Sequence, residues 1–248
     1  MLYAIGAGPQ VVGVSSFDHF PADVEKLPRV GGLIDPDFER ILSLKPDLVI
    51  VYGTQNDFTA KLAKASIPMF TYEHAGLADV TTTIQALGQR VGRVKEADAE
   101  VARINKGLDD VRRRVQGMPR YRTLLVFGRE PGALRGVYAS GGIGFLNDLL
   151  EVAGGTNVLA DVKRQNMQLS TEQILARAPE AVVELHGPMA AGKLGAEQRV
   201  WHQLPSVPAV KQNRVHLLTS ELLTVPGPRV VEAARLIAEA LHPSGGKK

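Results

Sequence analysis

The chain has 248 residues, 44% of them hydrophobic and 22% charged, which is ordinary globular composition and enough for one large domain or two small ones with real cores. With 29 Lys and Arg against 26 Asp and Glu the net charge is +3, and the one basic run, Arg112-Arg113-Arg114, reads as a solvated helix face rather than a nucleic-acid patch. The absence of cysteine excludes disulfides, thiolate metal sites and cysteine nucleophiles, and no apolar run reaches the roughly 18–20 residues that span a bilayer.

Met1-Leu2-Tyr3-Ala4-Ile5-Gly6 is an apolar stretch with no basic leader, so no export signal is expected in this sequence. Two readings stay open: a cytosolic protein, or a sequence that begins downstream of its natural start. Val11-Val12-Gly13-Val14 predicts a short strand. Glu39 to Leu44 predicts an amphipathic helical turn, broken by Pro46-Asp47, and Leu48 to Tyr52 a buried strand. Phe58 to Ala65 predicts a helix and Pro68 to Tyr72 another strand. This strand–helix–strand order implies a parallel sheet covered by helices. Ala97, Val101, Ile104, Leu108, Val111 and Val115 recur at spacings of four and three, one apolar stripe along a helix of about 20 residues and about 30 Å. Gly117-Met118-Pro119 ends it. Thr123 to Phe127 predicts a strand, and Phe145 to Ala153 a helix that stops at Gly154-Gly155. Ser170-Thr171-Glu172-Gln173 is a helix start whose side chains can satisfy free backbone donors. Pro179 ends that helix. Ala181 to Leu185 and Arg214 to Leu218 predict strands, and Val230 to Leu241 a closing helix. Ser244 to Lys248 reads as a disordered tail.

Two segments share one layout. Phe38 to Ile50 and Thr171 to Val183 each run Glu, an apolar pair, a basic residue, Pro, an acid, then a buried strand. Either two lobes of similar architecture or two ordinary helix–strand connections would read this way. The expected fold class is α/β: two Rossmann-like lobes with parallel sheets joined by one long backbone helix. The expected boundaries are 1–92 for the first lobe, 93–117 for the linking helix and 118–248 for the second lobe.

Several blocks agree with one family in order and spacing. They are Gly13 to Pro21, Val30-Gly31-Gly32 followed by Glu39 to Ile50, Gly141-Gly142 through Leu149, Ala153 to Val158, and Gly227-Pro228-Arg229. Over nearly its whole length the chain resembles the periplasmic binding proteins whose lobes are joined by a single long helix, which serve vitamin B12, iron–siderophore and haem importers. That resemblance implies a non-enzymatic, monomeric protein that delivers a small-molecule ligand to the permease dimer of an ABC transporter. It also implies a periplasmic or membrane-anchored extracytoplasmic location, no resident cofactor and no nucleic-acid partner. One departure is visible. The family opens with a strand before the helix that corresponds to Leu2 to Gly6, so the first lobe is expected to lack its first strand.

In open α/β sheets ligands sit beyond the carboxyl ends of the strands. From those ends and from the resemblance, the expected ligand contacts are Ser16, Phe17, Gly31, Gly32, Leu33, Tyr52, Gly53, Arg129 and Glu221. Phe17 and Tyr52 fall where vitamin B12-binding relatives place pocket aromatics, and Glu221 matches a polar pocket position. Haem-binding relatives carry an iron-ligating tyrosine at the place of Gly32. The resemblance also suggests that Glu39 and Glu172, one per lobe, meet arginines of the permease. The ligand expected is a corrinoid such as cobalamin. An iron–siderophore complex held by Arg129 and Arg135 is the alternative. A transition metal on His74 and His186, joined by His19 or Glu221, and an α/β hydrolase are further ones. No Gly-x-Ser-x-Gly elbow, His-Glu-x-x-His or phosphate-binding glycine loop is present. Trp201 reads equally as a packing residue or a ligand contact.

Overall fold

The computed structural model describes residues 1–187, 191–223 and 225–243, with backbone alone at 191 and 192. The tail expected at Ser244 to Lys248 lies outside the described residues. The chain forms two compact units: residues 1–73 with 81–101, and residues 74–80 with 102 onward.

In the first unit, 3-10 turns at Leu2–Ile5, Gly8–Gln10 and Ala22–Lys26 precede the regular elements. Helix α1 (Phe38–Ser43) starts at Asp37, whose carboxylate accepts the Arg40 N–H at 2.9 Å. Strand β1 (Val49–Tyr52), helix α2 (Asn56–Lys64) and strand β2 (Met69–Tyr72) follow. β1 and β2 are parallel, with Val49 beside Met69 and Tyr52 beside Tyr72, so α2 is their crossover. Ile41, Val51, Phe58 and Leu62 close the core, with Phe38 edge-on to Phe58 at 6.4 Å. The strand expected at Val11 to Val14 is reduced to one parallel bridge between Val14 and Arg29. Its two bonds, Val14 N–H to Pro28 O and Val30 N–H to Val14 O, are both 3.0 Å. Pro28 has no N–H to carry the ladder backward.

Helix α3 (Leu77–Arg90) was not anticipated from the sequence. Its buried residues Leu77, Val80, Ile84 and Leu87 keep a helical period, but Thr81-Thr82-Thr83 is a β-branched run that masks it. Asp79 holds its start by accepting the Ala75 and Gly76 N–H groups, each at 2.7 Å. Helix α4 (Val94–Val115) is the long helix expected. Ala97, Ile104, Leu108, Val111 and Val115 are buried along it, and Val101 is half-buried. Its residues to Val101 belong to the first unit and the remainder to the second.

The second unit is built on a mixed sheet. Strands β3 (Arg122–Gly128), β4 (Val137–Ser140), β5 (Thr156–Asn157), β6 (Asn166–Leu169), β7 (Ala181–His186) and β8 (Val215–Thr219) follow in chain order. Across the sheet the order is β6-β4-β3-β7-β8, with β5 on the start of β3. The β3–β7 and β7–β8 pairings are parallel, as expected, and β5, which was not expected, joins β3 in parallel as well. β4 and β6 are an antiparallel addition, and β6 reads Asn-Met-Gln-Leu with a single fully buried side chain, too little pattern to announce a strand. Helices α5 (Phe145–Val152), α6 (Thr171–Arg177), α7 (Ala191–Arg199), α8 (Pro208–Lys211) and α9 (Val230–Leu241) complete it. The expected cap of α6 is present in both directions: Ser170 Oγ accepts the Gln173 N–H at 3.3 Å and Gln173 Oε1 accepts the Ser170 N–H at 2.9 Å. Trp201 lies in the core with Leu124, Val126, Val182 and Val215, fully buried, which decides its role in favour of packing. Among the described residues no helix is long and apolar enough to cross a membrane.

Candidate functional site

In the first unit, three loops at the carboxyl ends of β1 and β2 are knitted together. Ser16 N–H donates to Gly31 O at 2.8 Å, and Gln55 Nε2 donates to Leu33 O at 2.7 Å. Gly31 sits at φ 84°, and a Cβ there would lie 2.3 Å from Asp35 O, so only glycine fits. A Cβ on Gly32 would lie 2.7 Å from Cε2 of Phe17, so the Phe17 ring rests directly on this glycine. The ring is otherwise open to solvent, with Phe17 78% exposed, Leu33 52% and Ile34 95%. Beside them Tyr52 and Tyr72 meet edge to face at 5.4 Å. Burial, then the Asp18 charge and Tyr52, push the Tyr72 phenol above the usual tyrosine range, so it remains a neutral donor. Glu73 packs over Gly53, where a Cβ would meet its carboxylate. The loops thus bring Ser16, Phe17, Gly31, Gly32, Leu33, Tyr52 and Gly53 to one end of this unit. Ile34, exposed beside Leu33, and Arg29, whose guanidinium donates to Ser15 O of the Phe17 loop at 3.0 Å, were missed. Their signal was a large apolar residue in a Gly-Gly-Leu-Ile-Asp-Pro turn and an arginine just before it.

In the second unit the two expected contacts part company. Glu221 is exposed in a 3-10 turn after β8, where Ser220 N–H donates to His186 O at 3.1 Å. Arg129 is a correction. Its side chain is only 1% exposed, with Nε 2.7 Å from Glu184 Oε1 and Nη1 2.8 Å from Glu197 Oε2. It also donates to Glu197 O at 3.0 Å and to Ala133 O at 3.2 Å. A guanidinium spent on that many internal acceptors ties β3 to β7 and α7 and has no surface left for a ligand. Arg135 is exposed and paired with Glu130 at 3.0 Å. The metal alternative finds no support in the geometry: among the described residues no group of three or more His, Asp or Glu could hold an ion.

Glu39 and Glu172 occupy the same local position. Each lies two residues after its helix N-cap, Asp37 or Ser170, and each is exposed. A bond from the Ser170 hydroxyl, the largest cause, together with backbone donors holds the Glu172 carboxyl below the usual range, so it is ionised.

Parallel strands ending in exposed apolar loops with polar tips are where α/β proteins usually place a ligand. Comparison with known proteins narrows that class. A family model described as periplasmic binding protein matches residues 1–222. The chain belongs to the periplasmic binding protein family. It is 30% identical over 251 aligned positions to an uncharacterised ABC transporter substrate-binding lipoprotein of Bacillus subtilis, covering 99% of this chain and 77% of that protein. It is 26% identical to a vitamin B12-binding protein of Pectobacterium carotovorum, over 97% of this chain and 84% of that one. The solved structure of a periplasmic vitamin B12 binding protein of Vibrio cholerae superposes with a TM-score of 0.81 at 22% identity, covering 97% and 91% of the two chains. At that identity the likeness carries the fold alone.

Proposed function

We propose that this chain is the substrate-capturing component of an ABC importer, and that its ligand is a corrinoid such as vitamin B12. It acts outside the cytoplasmic membrane as a monomer, without catalysis or resident cofactor, and passes the ligand to a permease dimer that it meets through Glu39 and Glu172. The observation that carries the ligand reading is the Phe17 ring on Gly32, with Leu33 and Ile34 exposed in the turn that follows that glycine. It is an apolar floor edged by the neutral polar groups of Tyr72 and Gln55, with the carboxylates of Asp18, Asp35 and Glu73 close by, so its charged neighbours are acidic and disfavour an anionic ligand. Such a surface suits a large, flat, mostly neutral chelate. Relatives named as vitamin B12-binding proteins support it, while other structural neighbours are named as haem-binding proteins.

The second reading, an iron–siderophore complex, asks for arginines facing an anionic chelate. Arg129 is withdrawn into the interior, so that reading keeps only Arg135. A haem ligand would want an axial side chain where Gly32 stands. Titration in a calorimeter with cyanocobalamin, a hydroxamate siderophore, haemin and zinc tests the choice. Cyanocobalamin is expected to bind, and Phe17→Ala to weaken it by about tenfold, the loss of one aromatic contact. Heat from the siderophore or haemin with none from cyanocobalamin would overturn the assignment.

A further inference from the structure

The loop that carries Phe17 has an unusual source of order. Its most prominent side chain is mostly exposed, so burial of Phe17 contributes little to holding the loop in place. The restraint is polar, and it converges on one residue of the same unit. Arg29 Nη1 donates to Ser15 O at 3.0 Å and also to Asp18 O, and Nη2 pairs with Glu25 Oε2 at 2.5 Å. The other oxygen of Glu25 takes His19 Nδ1 at 2.8 Å. These two partners, His19 first, hold the Glu25 carboxyl below the usual range. Ser15 and Asp18 are the ends of the turn that presents Phe17. Asp18 N–H donates to Ser15 O at 3.1 Å, Ser15 N–H to Asp18 Oδ2 at 3.1 Å and Phe17 N–H to Ser15 Oγ at 3.3 Å.

We propose that Arg29 is the positioning residue of the 15–20 loop, fixing the turn so that Phe17 meets its ligand as a preformed surface. This rests on the reading of that loop as a ligand contact. One planar fork reaches both carbonyls that close the turn and the carboxylate that anchors the next segment. A lysine ammonium supplies a point charge and cannot span the three. Ordering the loop before the ligand arrives removes that cost from binding. In Arg29→Gln the loop populates open conformers, and apparent affinity falls by the fraction that remains competent.

The test combines hydrogen exchange at sub-second labelling times with calorimetry on the full chain, using cyanocobalamin as the probe. Arg29→Gln is expected to speed exchange of the 15–20 amides by about tenfold, the loss of charge-assisted bonds. The amides of β1, β2 and the second unit keep their rates, and cyanocobalamin affinity falls by a similar factor. Arg29→Lys stays nearer to the glutamine variant than to wild type. Glu25→Gln removes the charge from one of the three acceptors at an exposed position and loosens the loop to a smaller extent. Unchanged exchange in Arg29→Gln, or full rescue by lysine, would overturn the proposal. A loosened loop with cyanocobalamin binding intact in both Arg29→Gln and Phe17→Ala would overturn the ligand reading of the loop and leave the clamp standing.

Discussion

Glu184 shows how a single residue can carry a signal that the strand around it hides. It stands inside Ala181-Val182-Val183-Glu184-Leu185, where every neighbour is apolar and buried. An acid in such a run needs an interior partner. The structure supplies three: Arg129 Nε at 2.7 Å, His186 Nε2 at 2.8 Å and Trp201 Nε1 at 2.6 Å. Arg129 was legible as a residue at a strand end, but its direction was not, because the sequence does not say that Glu184, 55 positions away in the chain, lies beside it. That partner turns a presumed ligand contact into an internal tie. Removing the guanidinium leaves Glu184 buried beside a lone histidine and indole. Arg129→Met is therefore expected to cost the second unit about 3–5 kcal/mol, and Arg129→Met with Glu184→Gln to recover part of it. Urea unfolding followed by Trp201 fluorescence measures both. A loss below about 1 kcal/mol would show that the pair is not the tie described.

At the scale of elements, the repeated segment was the most readable feature. Phe38 to Ile50 gives α1 and β1, and Thr171 to Val183 gives α6 and β7. The likeness reaches the backbone: Lys45 at φ 48° and Ala178 at φ 45° are left-handed residues closing the two helices, each followed by proline. Elements with a continuous apolar run or a full helical stripe, such as β1, β3, β7, α4 and α9, were legible. Those whose pattern is diluted by polar or β-branched residues, α3, β4 and β6, were not. In the site, residues next to glycine pairs or strand ends were visible. Arg29 and Ile34 were not, because their importance comes from which carbonyls and which solvent they face. Glu39 and Glu172 share the second helical position, where an acid sits favourably in the field of the helix dipole. That accounts for an acid at each place, and its exposure leaves both carboxylates open to a partner. Reversing either charge is expected to weaken stimulation of the reconstituted cognate permease by about tenfold while cyanocobalamin affinity is unchanged. Undiminished stimulation with Glu39→Lys and Glu172→Lys combined would rule out the docking pair.

The whole molecule is expected to respond to acid through one unit before the other. His74, His216 and His242 all belong to the second unit, and burial is the first cause holding each below the ordinary value of 6.5. At His216 the Arg214 charge adds to it, and at His242 the Arg114 and Arg120 charges do so against an opposing backbone bond at Gly154. These groups are neutral in the fold, whereas the unfolded chain binds protons on them below about pH 6.5. The unfolded state then holds more protons, so stability is full above that pH and declines as pH falls below it. The carboxylates act in a separate window. Asp161, held down first by Arg177, and Glu197, held down first by the Gly132 N–H, contribute stability above their ordinary values of 3.8 and 4.5 and lose it only as pH falls further. Between pH 6.5 and 5 the histidines therefore set the slope. Trp201 is the only tryptophan and sits in the second unit's core, so its fluorescence follows that unit alone. Urea midpoints read from it should fall steadily from pH 7.5 to 5, and His216→Gln should flatten the slope by removing one of the three sites. A midpoint that holds constant or rises on acidification over this range would contradict the buried, neutral state of these histidines.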